Sequence, residues 1–514
     1  MRLGIDFGTT HTVVAYADRG NHPVVDFLDE SGDAQAWIPS VVAERGGELR
    51  FGFDALALAA DPSAVVVRSF KRFLSGPDAG PTQVVSVGCV VIEAAELVAR
   101  FLSHVHDALR ARSNLRRKKS DDGELRVVIG VPANAYAAQR LITLEAFRRA
   151  GFIVDAVVNE PSAAGFEYAH RHRSTLTAQR DVVVVYDLGG GTFDASLVRM
   201  TGPRHDVLAA AGVGTLGGDD FDAVLADVAL EAVGIRRIDL PGHAVERWLE
   251  QCRLAKESLN ANSRKLTLDL EAVLGKDAPR PEVSLPVSTY YDACMPLVEQ
   301  SIAAMEPLMS RAENEAAADP SEIAGVYVVG GASELPIVSR ALRERFGRRV
   351  HRSPYPSAAV AIGLSIANSD EAENRLVDRY SRTFAVFREA DAGRGVVLDP
   401  IFTPDSVLPS RAEPAVFTRS YEAVHNIGHF RFFECSSVDD SGKPRGDMAS
   451  CRDVFFPFDP ELADRNDIAS LPVERRFDRG PRIVEHYALD HNGIVHVSIR
   501  NADAGYERRY RIGG

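Results

Sequence analysis

A chain of 514 residues exceeds what one hydrophobic core usually organises, so two or more domains are expected and a small disulfide-stapled or fibrous protein is excluded. With 45% apolar and 25% charged residues, the composition is that of a folded protein and not of a disordered chain. A formal net charge of −13 supplies no basic field for nucleic acid, and the five scattered cysteines form no Cys-x-x-Cys pair that would signal a disulfide framework or a zinc site.

The chain opens with Met-Arg-Leu-Gly-Ile-Asp6 running straight into a strand-like segment, and no long apolar stretch follows anywhere. The expectation is a soluble cytoplasmic protein without a membrane partner. Leu3 to Ala17 reads as a hairpin, two β-rich runs joined by Asp6-Phe-Gly-Thr-Thr-His11. Arg110 to Asp122 is a charge-dense run that fits a solvated helix end and loop. Gly123 to Val131 is a strand ended by Pro132, and Ala135 to Gly151 is an amphipathic helix with a glycine stop. A second hairpin of the first kind follows at Asp181 to Met200, where Val182-Val-Val-Val-Tyr186 leads into Asp187-Leu-Gly-Gly-Gly-Thr-Phe-Asp194. Two such hairpins at half-domain spacing point to a duplicated α/β unit whose turns face each other across a cleft. Val326 to Val329 is a further buried strand, followed by Gly330-Gly331 and a helix from about Leu335 to Phe346.

The pattern breaks at Ser369 to Arg375, where a domain boundary is placed. Beyond it, alternating runs at Thr383 to Phe387, Ala415 to Thr418, His429 to Phe433, Ile483 to Leu489 and Gly493 to Arg500 predict an all-β domain. Asp490-His-Asn-Gly493 has the chemistry of a tight turn, and the polar stretch Ser436 to Met448 reads as a mobile loop and not as a site.

Glycine-rich turns present backbone N–H groups unobstructed by side chains, which is how proteins cradle phosphate oxygens. An aspartate precedes the glycine turn in both hairpins, and facing aspartates over a polyphosphate suit a hydrated Mg²⁺, a hard ion that keeps several of its waters. The two hairpins therefore predict binding of a Mg-nucleotide.

The motifs that carry a resemblance occur in a fixed order: Gly4-Ile-Asp-Phe-Gly-Thr-Thr10, Ser69-Phe-Lys-Arg-Phe-Leu74, Val131-Pro-Ala-Asn134 with Ala138-Gln-Arg140, Val158-Asn-Glu-Pro-Ser-Ala-Ala-Gly165, Tyr186 to Asp194, Thr215-Leu-Gly-Gly-Asp-Asp-Phe-Asp222 and Val329-Gly-Gly-Ala-Ser333. They are similar to the ATPase domain of the Hsp70 family, of the actin and sugar-kinase superfamily. More loosely, Leu408 to Arg411, Ala415 to Thr418 and Ala488 to Ser498 resemble that family's peptide-binding β-sandwich. The resemblance implies an actin-like ATPase domain over residues 1–369, a linker over 370–378 and a β-sandwich substrate domain over 379–514.

The same resemblance implies a slow ATPase that binds ATP or ADP with Mg. Lys71 would reach the γ-phosphate and attacking water, Glu160 would sit beside that water, and Thr192 would place its hydroxyl near both. Asp6 and Asp187 would hold the metal through its water shell. Gly8, Thr9, Thr10, His11, Gly189, Gly190 and Gly191 would bind phosphates. Gly217, Gly218 and Asp219 would approach the sugar and phosphates, and Lys256, Gly330, Gly331 and Ala332 would line the nucleoside side. Pro132 matches a proline linked to conformational switching, although a proline that ends a strand explains it equally well.

Several positions depart from the family pattern. Glu334 replaces an arginine that stacks on adenine, Arg253 and Glu257 replace residues of different charge, and Ser357 replaces an aspartate. Ala156 stands where J-domain cochaperones usually find a basic residue, and Asn374 to Asp378 keeps only part of the apolar linker. The chain ends at Arg511-Ile-Gly-Gly514, at the last predicted sandwich strand, so a helical lid is expected to be missing. The leading expectation is an ATP-dependent chaperone that binds unfolded polypeptide segments, with nucleotide-exchange and J-domain cochaperones as possible partners. A nucleotide-switched scaffold that binds one protein partner through the β domain is the alternative. A small-molecule kinase of the same superfamily fits less well, because of Lys71-Arg-Phe-Leu, Asn159-Glu-Pro and the appended β domain.

Overall fold

The computed structural model describes residues 1–513 apart from 60, 118–122, 173–175, 177–180, 202–203, 316–322, 369–374, 391–392, 412 and 440–441. The end of the charged run after Arg117 and the boundary residues 369–374 thus lie outside the described residues. No described helix is long and apolar enough to cross a membrane.

Both predicted hairpins form, and each sits inside a larger sheet. The first pairs Arg2–Phe7 with His11–Tyr16 in a five-stranded sheet that continues through Arg126–Val131 to Ile153–Asn159 on one side and Ile38–Pro39 on the other. The second pairs Val182–Leu188 with Phe193–Thr201 in a six-stranded sheet. In both sheets two parallel strands flank the first strand of the hairpin, which is the duplicated α/β unit the spacing implied. Val182 to Tyr186 is buried on both faces, as a strand between two helical layers must be. Two helices, Glu160–Arg171 and Ala359–Ala367, cross between the sheets. A Cβ at Gly363 would lie 1.8 Å from the carbonyl oxygen of Ala163, so only glycine permits this crossing.

The C-terminal region contains two stacked antiparallel four-stranded sheets. One orders Gly395–Phe402, Thr383–Ala390, Ile427–Val438 and Pro444–Pro457; the other orders Ala415–Glu422, Arg482–Leu489, Val495–Asn501 and Glu507–Arg511. Phe384, Phe432, Phe456, Tyr487, Leu489 and Ile499 fill the space between them. At about 1.5–3 kcal/mol for each buried side chain of this size, that layer supplies most of the cohesion of the sandwich. Arg388 adds a polar bolt between the sheets, donating from both terminal nitrogens to Glu485 at 3.0 and 2.7 Å.

The segment Ser436 to Met448 corrects the reading of a mobile loop. Its ends belong to the paired strands Ile427–Val438 and Pro444–Pro457, and Asp447 binds Tyr136 and Arg382. Most of its described residues are exposed, and Asp447 is the one shown reaching the Tyr136 and Arg382 side chains.

The two regions are also joined at the linker. Arg375–Val377 adds a strand, parallel to Arg204–Asp206, to the edge of the six-stranded sheet. The contact is made by backbone pairing and by the polar groups that follow it. The side chain of Asp378 accepts from Asn159 Nδ2 at 2.9 Å and from Ser162 Oγ at 3.4 Å. The turn at Asp490 to Gly493 inserts against the N-terminal region, where the Asn492 carbonyl accepts from Arg140 Nη1 and its side-chain oxygen accepts from the Val157 N–H.

Candidate functional site

The hairpin turns meet at the base of a cleft of about 340 Å³. A Cβ built on Gly190 would fall 2.6 Å from the side chain of Thr10, and one on Gly191 would fall 2.7 Å from that of Thr9. Glycine at both positions therefore lets the two turns close on one another. Most of the predicted site lines this cleft: Asp6, Gly8 to His11, Lys71, Glu160, Asp187, Gly189, Gly190, Thr192, Gly218, Asp219, Lys256 and Gly330 to Ala332. Gly191 and Gly217 are not among the lining residues. They lie behind the wall, where a Cβ on Gly217 would fall 2.6 Å from the backbone of Gly191.

Lys71 sits in a single helical turn, Phe70–Leu74, entered through Ser69 in the left-handed region at φ 53°. Phe70 packs against Phe7 and Phe101, and Leu74 is fully buried, so the turn is pinned by its apolar side chains. That anchoring aims the Lys71 ammonium at Glu160, 3.0 Å away, with only 4% of the lysine exposed. Glu160 opens its helix immediately before Pro161, whose fixed φ suits the first turn, and it follows strand residue Asn159. Strand end and helix start together fix the carboxylate.

Four carboxylates, those of Asp6, Glu160, Asp187 and Asp194, surround this one ammonium. Burial, with the Glu160 charge second, pushes Asp6 up to about 7 against the pull of Lys71. Asp187 is raised well above its ordinary value by the same causes and by Asp6. Asp194, also driven mainly by burial, reaches about 7 even though it accepts from the Asn134 N–H at 3.2 Å. The floor of the cleft thus gathers more carboxyl groups than its own cation keeps ionised. Among the described residues no three His, Cys, Asp or Glu side chains are placed to ligate one ion directly. Hard oxygen donors in excess, without a closed ligand cage, fit a divalent cation that keeps its waters, which is how Mg²⁺ is usually held.

The upper wall is cationic. Burial pushes His11 down to about 3, helped by Arg253, Arg68 and Lys256, so its imidazole is neutral, and its ring lies 4.0 Å from that of Trp37. Lys256 is held by Asp222 at 2.8 Å and donates to the Gly218 carbonyl at 2.8 Å. Arg72 joins the two halves of the cleft, donating to Asp220 at 2.7 Å and to the Gly191 carbonyl at 3.1 Å. The outer end is lined by Glu257, Leu259, Glu334, Leu335 and Ser357, and Glu334 pairs with Arg352 at 3.0 Å.

Sequence reasoning missed Asp194, Asp222 and Trp37. Asp194 stands directly across the second hairpin from Asp187, so counting the hairpin register would have found it. Asp222 lies four residues after Gly218 on the helix Gly218–Glu231, one turn on, facing Lys256. Trp37 carries no local signal, because only the tertiary fold brings it to His11.

Comparison with known proteins identifies the family. The family profile described as Hsp70 protein matches residues 2–369. Proteins named "Chaperone protein HscA homolog" are similar to the chain: that of Burkholderia multivorans is 34% identical over 389 residues, covering 73% of this chain and 59% of the relative. That of Variovorax paradoxus is 34% identical over 384 residues, covering 72% and 58%. The chain thus spans less than two thirds of the length of these relatives. A profile match over most of the chain, together with a cleft of paired glycine hairpins, leads to one assignment: the chain belongs to the Hsp70 family.

Proposed function

We propose that this protein hydrolyses ATP, with Mg²⁺, between the two hairpins, and that its nucleotide state governs how the C-terminal sandwich holds a polypeptide segment. Hsp70 family members bind nucleotide and are ATPases. The observation that carries the reading for this chain is the buried Lys71–Glu160 pair between the hairpins, next to an asparagine held by the linker.

In this reading the β- and γ-phosphates lie on the N–H groups of the Gly8 to Thr10 and Gly189 to Thr192 turns. The Lys71 ammonium offsets charge that develops on the transferring group, an effect strengthened by its burial. Glu160 accepts a hydrogen bond from the attacking water and orients it, and the Thr192 hydroxyl faces the same space. Asp6 and Asp187 would hold the metal, and Mg²⁺ there would supply positive charge to the carboxylate-rich floor.

Asn159, one residue before Glu160, ties hydrolysis to the sandwich. Its side-chain oxygen accepts from Arg140 and its amide donates to Asp378, so linker, turn and catalytic helix share one buried polar cluster. A nucleotide that shifts the helix bearing Glu160 changes this cluster, which is the differential contact that coupling requires.

The polypeptide site is a groove of about 880 Å³ in the sandwich, lined by Phe387, Val396, Val397, Tyr421 and Phe430 together with Arg388, Asp399, Arg419 and His425. Val396 and Val397 are 58% and 51% exposed, apolar surface open to an extended segment. The groove also carries a fixed charge pattern, with Arg388 and Arg419 both tied to Asp399. That pattern favours a second reading, a nucleotide-switched scaffold for one partner of matching charge.

The test is ATP turnover with Mg²⁺, measured alone and with a panel of unfolded peptides. Turnover that many apolar peptides stimulate supports the chaperone reading, and turnover indifferent to all of them supports the scaffold. Absence of Mg-dependent cleavage refutes both.

A further inference from the structure

Trp37 lines the cleft from the wall of the first sheet. It immediately precedes the short strand Ile38–Pro39, which pairs with His11 and Thr12. Ser40 then ties this strand to the first glycine turn, its N–H donating to the Thr10 carbonyl at 2.9 Å and its hydroxyl to the Gly8 carbonyl at 2.8 Å. The indole is therefore fixed relative to the turn that holds phosphate in the reading above. Its ring centroid lies 4.0 Å from that of His11 and 5.8 Å from that of Phe53, and the partly buried side chain keeps a surface on the cleft. Because burial holds the His11 imidazole neutral, the His11 and Trp37 rings form an uncharged aromatic platform.

Across the cleft stands the helix Gly242–Glu257, whose Arg253 and Lys256 act electrostatically on His11. Both cations line the cleft and both are engaged, Arg253 with Glu250 at 2.7 Å and Lys256 with Asp222 and the Gly218 carbonyl at 2.8 Å each. The side chains around them at the outer end include the aliphatic Leu259 and Leu335 and the carboxylates of Glu257 and Glu334. An ionised carboxylate offers only acceptors, and adenine and guanine each carry an exocyclic amino group that can donate to one. A flat indole likewise accepts either purine, since stacking uses the π-face and not the pattern of donors and acceptors on the edge.

We propose that Trp37 is the base-binding residue of this cleft, that the purine stacks on its indole, and that the site consequently binds guanine nucleotides as readily as adenine nucleotides. The proposal rests on the nucleotide reading above and names its substrate class, the purine nucleotides. Phosphates on the Gly8 to Thr10 turn leave the nucleoside directed along the cleft, where His11 and Trp37 are the aromatic side chains of the lining. The indole is carried on the strand bonded to that same turn, so phosphate and base are held by one piece of backbone. The other face of the base meets the wall of Leu259 and Glu334, whose carboxylate is held by Arg352 at 3.0 Å. Selectivity then comes from the polyphosphate and its metal, and the base contributes affinity with little discrimination.

The test titrates the full chain, in Mg²⁺, with ADP, GDP and pyrophosphate as the base-free probe, reading affinity by calorimetry and contact with the base by tryptophan emission. The chain has two tryptophans, and Trp248 is fully buried with its Nε1 donating to the Ala226 carbonyl at 3.2 Å, so emission that responds at the cleft is that of Trp37. ADP and GDP are expected to bind within about threefold of each other and to quench the emission, and pyrophosphate to bind without quenching. Trp37→Leu should abolish the quench and weaken ADP and GDP about tenfold while leaving pyrophosphate within about twofold of wild type, a split that loss of packing alone would not produce. ADP binding more than about tenfold tighter than GDP, ADP binding without a quench in wild type, or equal losses for all three ligands in folded Trp37→Leu overturns the proposal. The wild-type measurements decide it even if the variant does not fold. Failure of wild type to bind any of the three refutes instead the nucleotide reading on which it rests.

Discussion

Asp378→Ala is the perturbation that most directly separates the sandwich from the helix that carries Glu160. The carboxylate is 6% exposed and accepts from Asn159 Nδ2 at 2.9 Å, the Asn159 N–H at 3.3 Å, Ser162 Oγ at 3.4 Å and its neighbour Arg379 N–H at 2.9 Å. It is also the foremost counter-charge of the buried Arg140. Truncation leaves the Asn159 amide without that acceptor and Arg140 without that charge, and orphaned buried groups of this kind cost about 1–3 kcal/mol each. A total near 3 kcal/mol shifts the balance of docked and undocked states by about two orders of magnitude. Hydrogen exchange at the paired strands Arg204–Asp206 and Arg375–Val377 reads that balance directly and should accelerate accordingly. Single-turnover ATP cleavage should slow about tenfold, since Asn159 positions Glu160 and small misplacements at a reacting centre are costly. Burial raises the pKa of Asp378 in the docked form above its ordinary 3.8, against the pull of Arg140, so docking takes up a proton. Docking should therefore tighten as pH falls from the docked value towards 3.8. Unchanged exchange together with cleavage within twofold of wild type refutes the reasoning, for it would mean that this cluster carries no docking energy.

Lys71→Ala should slow γ-phosphate cleavage by two orders of magnitude or more, on the scale of lost electrostatic stabilisation, while nucleotide binding stays measurable by calorimetry. Burial pushes Asp6 and Asp194 up to about 7 when no metal is bound, so Mg²⁺ binding should release protons around neutral pH, seen as a buffer-dependent binding enthalpy. With folded values near 7 against 3.8 unfolded, these groups cost stability as pH rises through that window, so the ion-free protein should melt lower at pH 7 than at pH 5. Glu334→Arg should place a guanidinium at the outer end of the cleft and tighten ADP binding by up to about thirtyfold; unchanged affinity would show that the base lies elsewhere. Glu485→Ala should leave Arg388 buried without its bidentate partner and cost about 3–5 kcal/mol in denaturant unfolding of the sandwich.

What could be read from the sequence follows the range of the interactions involved. Both hairpins were legible because each is specified within about twenty residues by strand pattern, an aspartate and glycines, and the facing of their turns followed from their repetition. Lys71 is a different case. Nothing local separates it from a surface lysine, and only the motif order of a known family marked it; the Phe7, Phe70 and Phe101 cluster that aims it comes from three distant segments. The same limit explains Ser436 to Met448. Its polar residues do face solvent, but the strand pairing at its ends and the bond from Tyr136, some three hundred positions earlier, to Asp447 leave no local pattern to read. The turn at Asp490 to Gly493 was recognised as a turn, yet its asparagine is 4% exposed and bonded to the ATPase region. The linker extends the lesson. The segment Asn374 to Asp378 was marked as keeping only part of an apolar linker, and the contact there uses backbone pairing with Arg204–Asp206 and a buried carboxylate. Such a joint is directional where an apolar one is not. Displaced by one residue, an apolar linker still buries area, whereas Asp378 displaced by one residue loses Asn159 and leaves Arg140 poorly matched. Polar linkage at this position therefore makes docking steeper in geometry, and the helix that carries Glu160 is the element best placed to feel it.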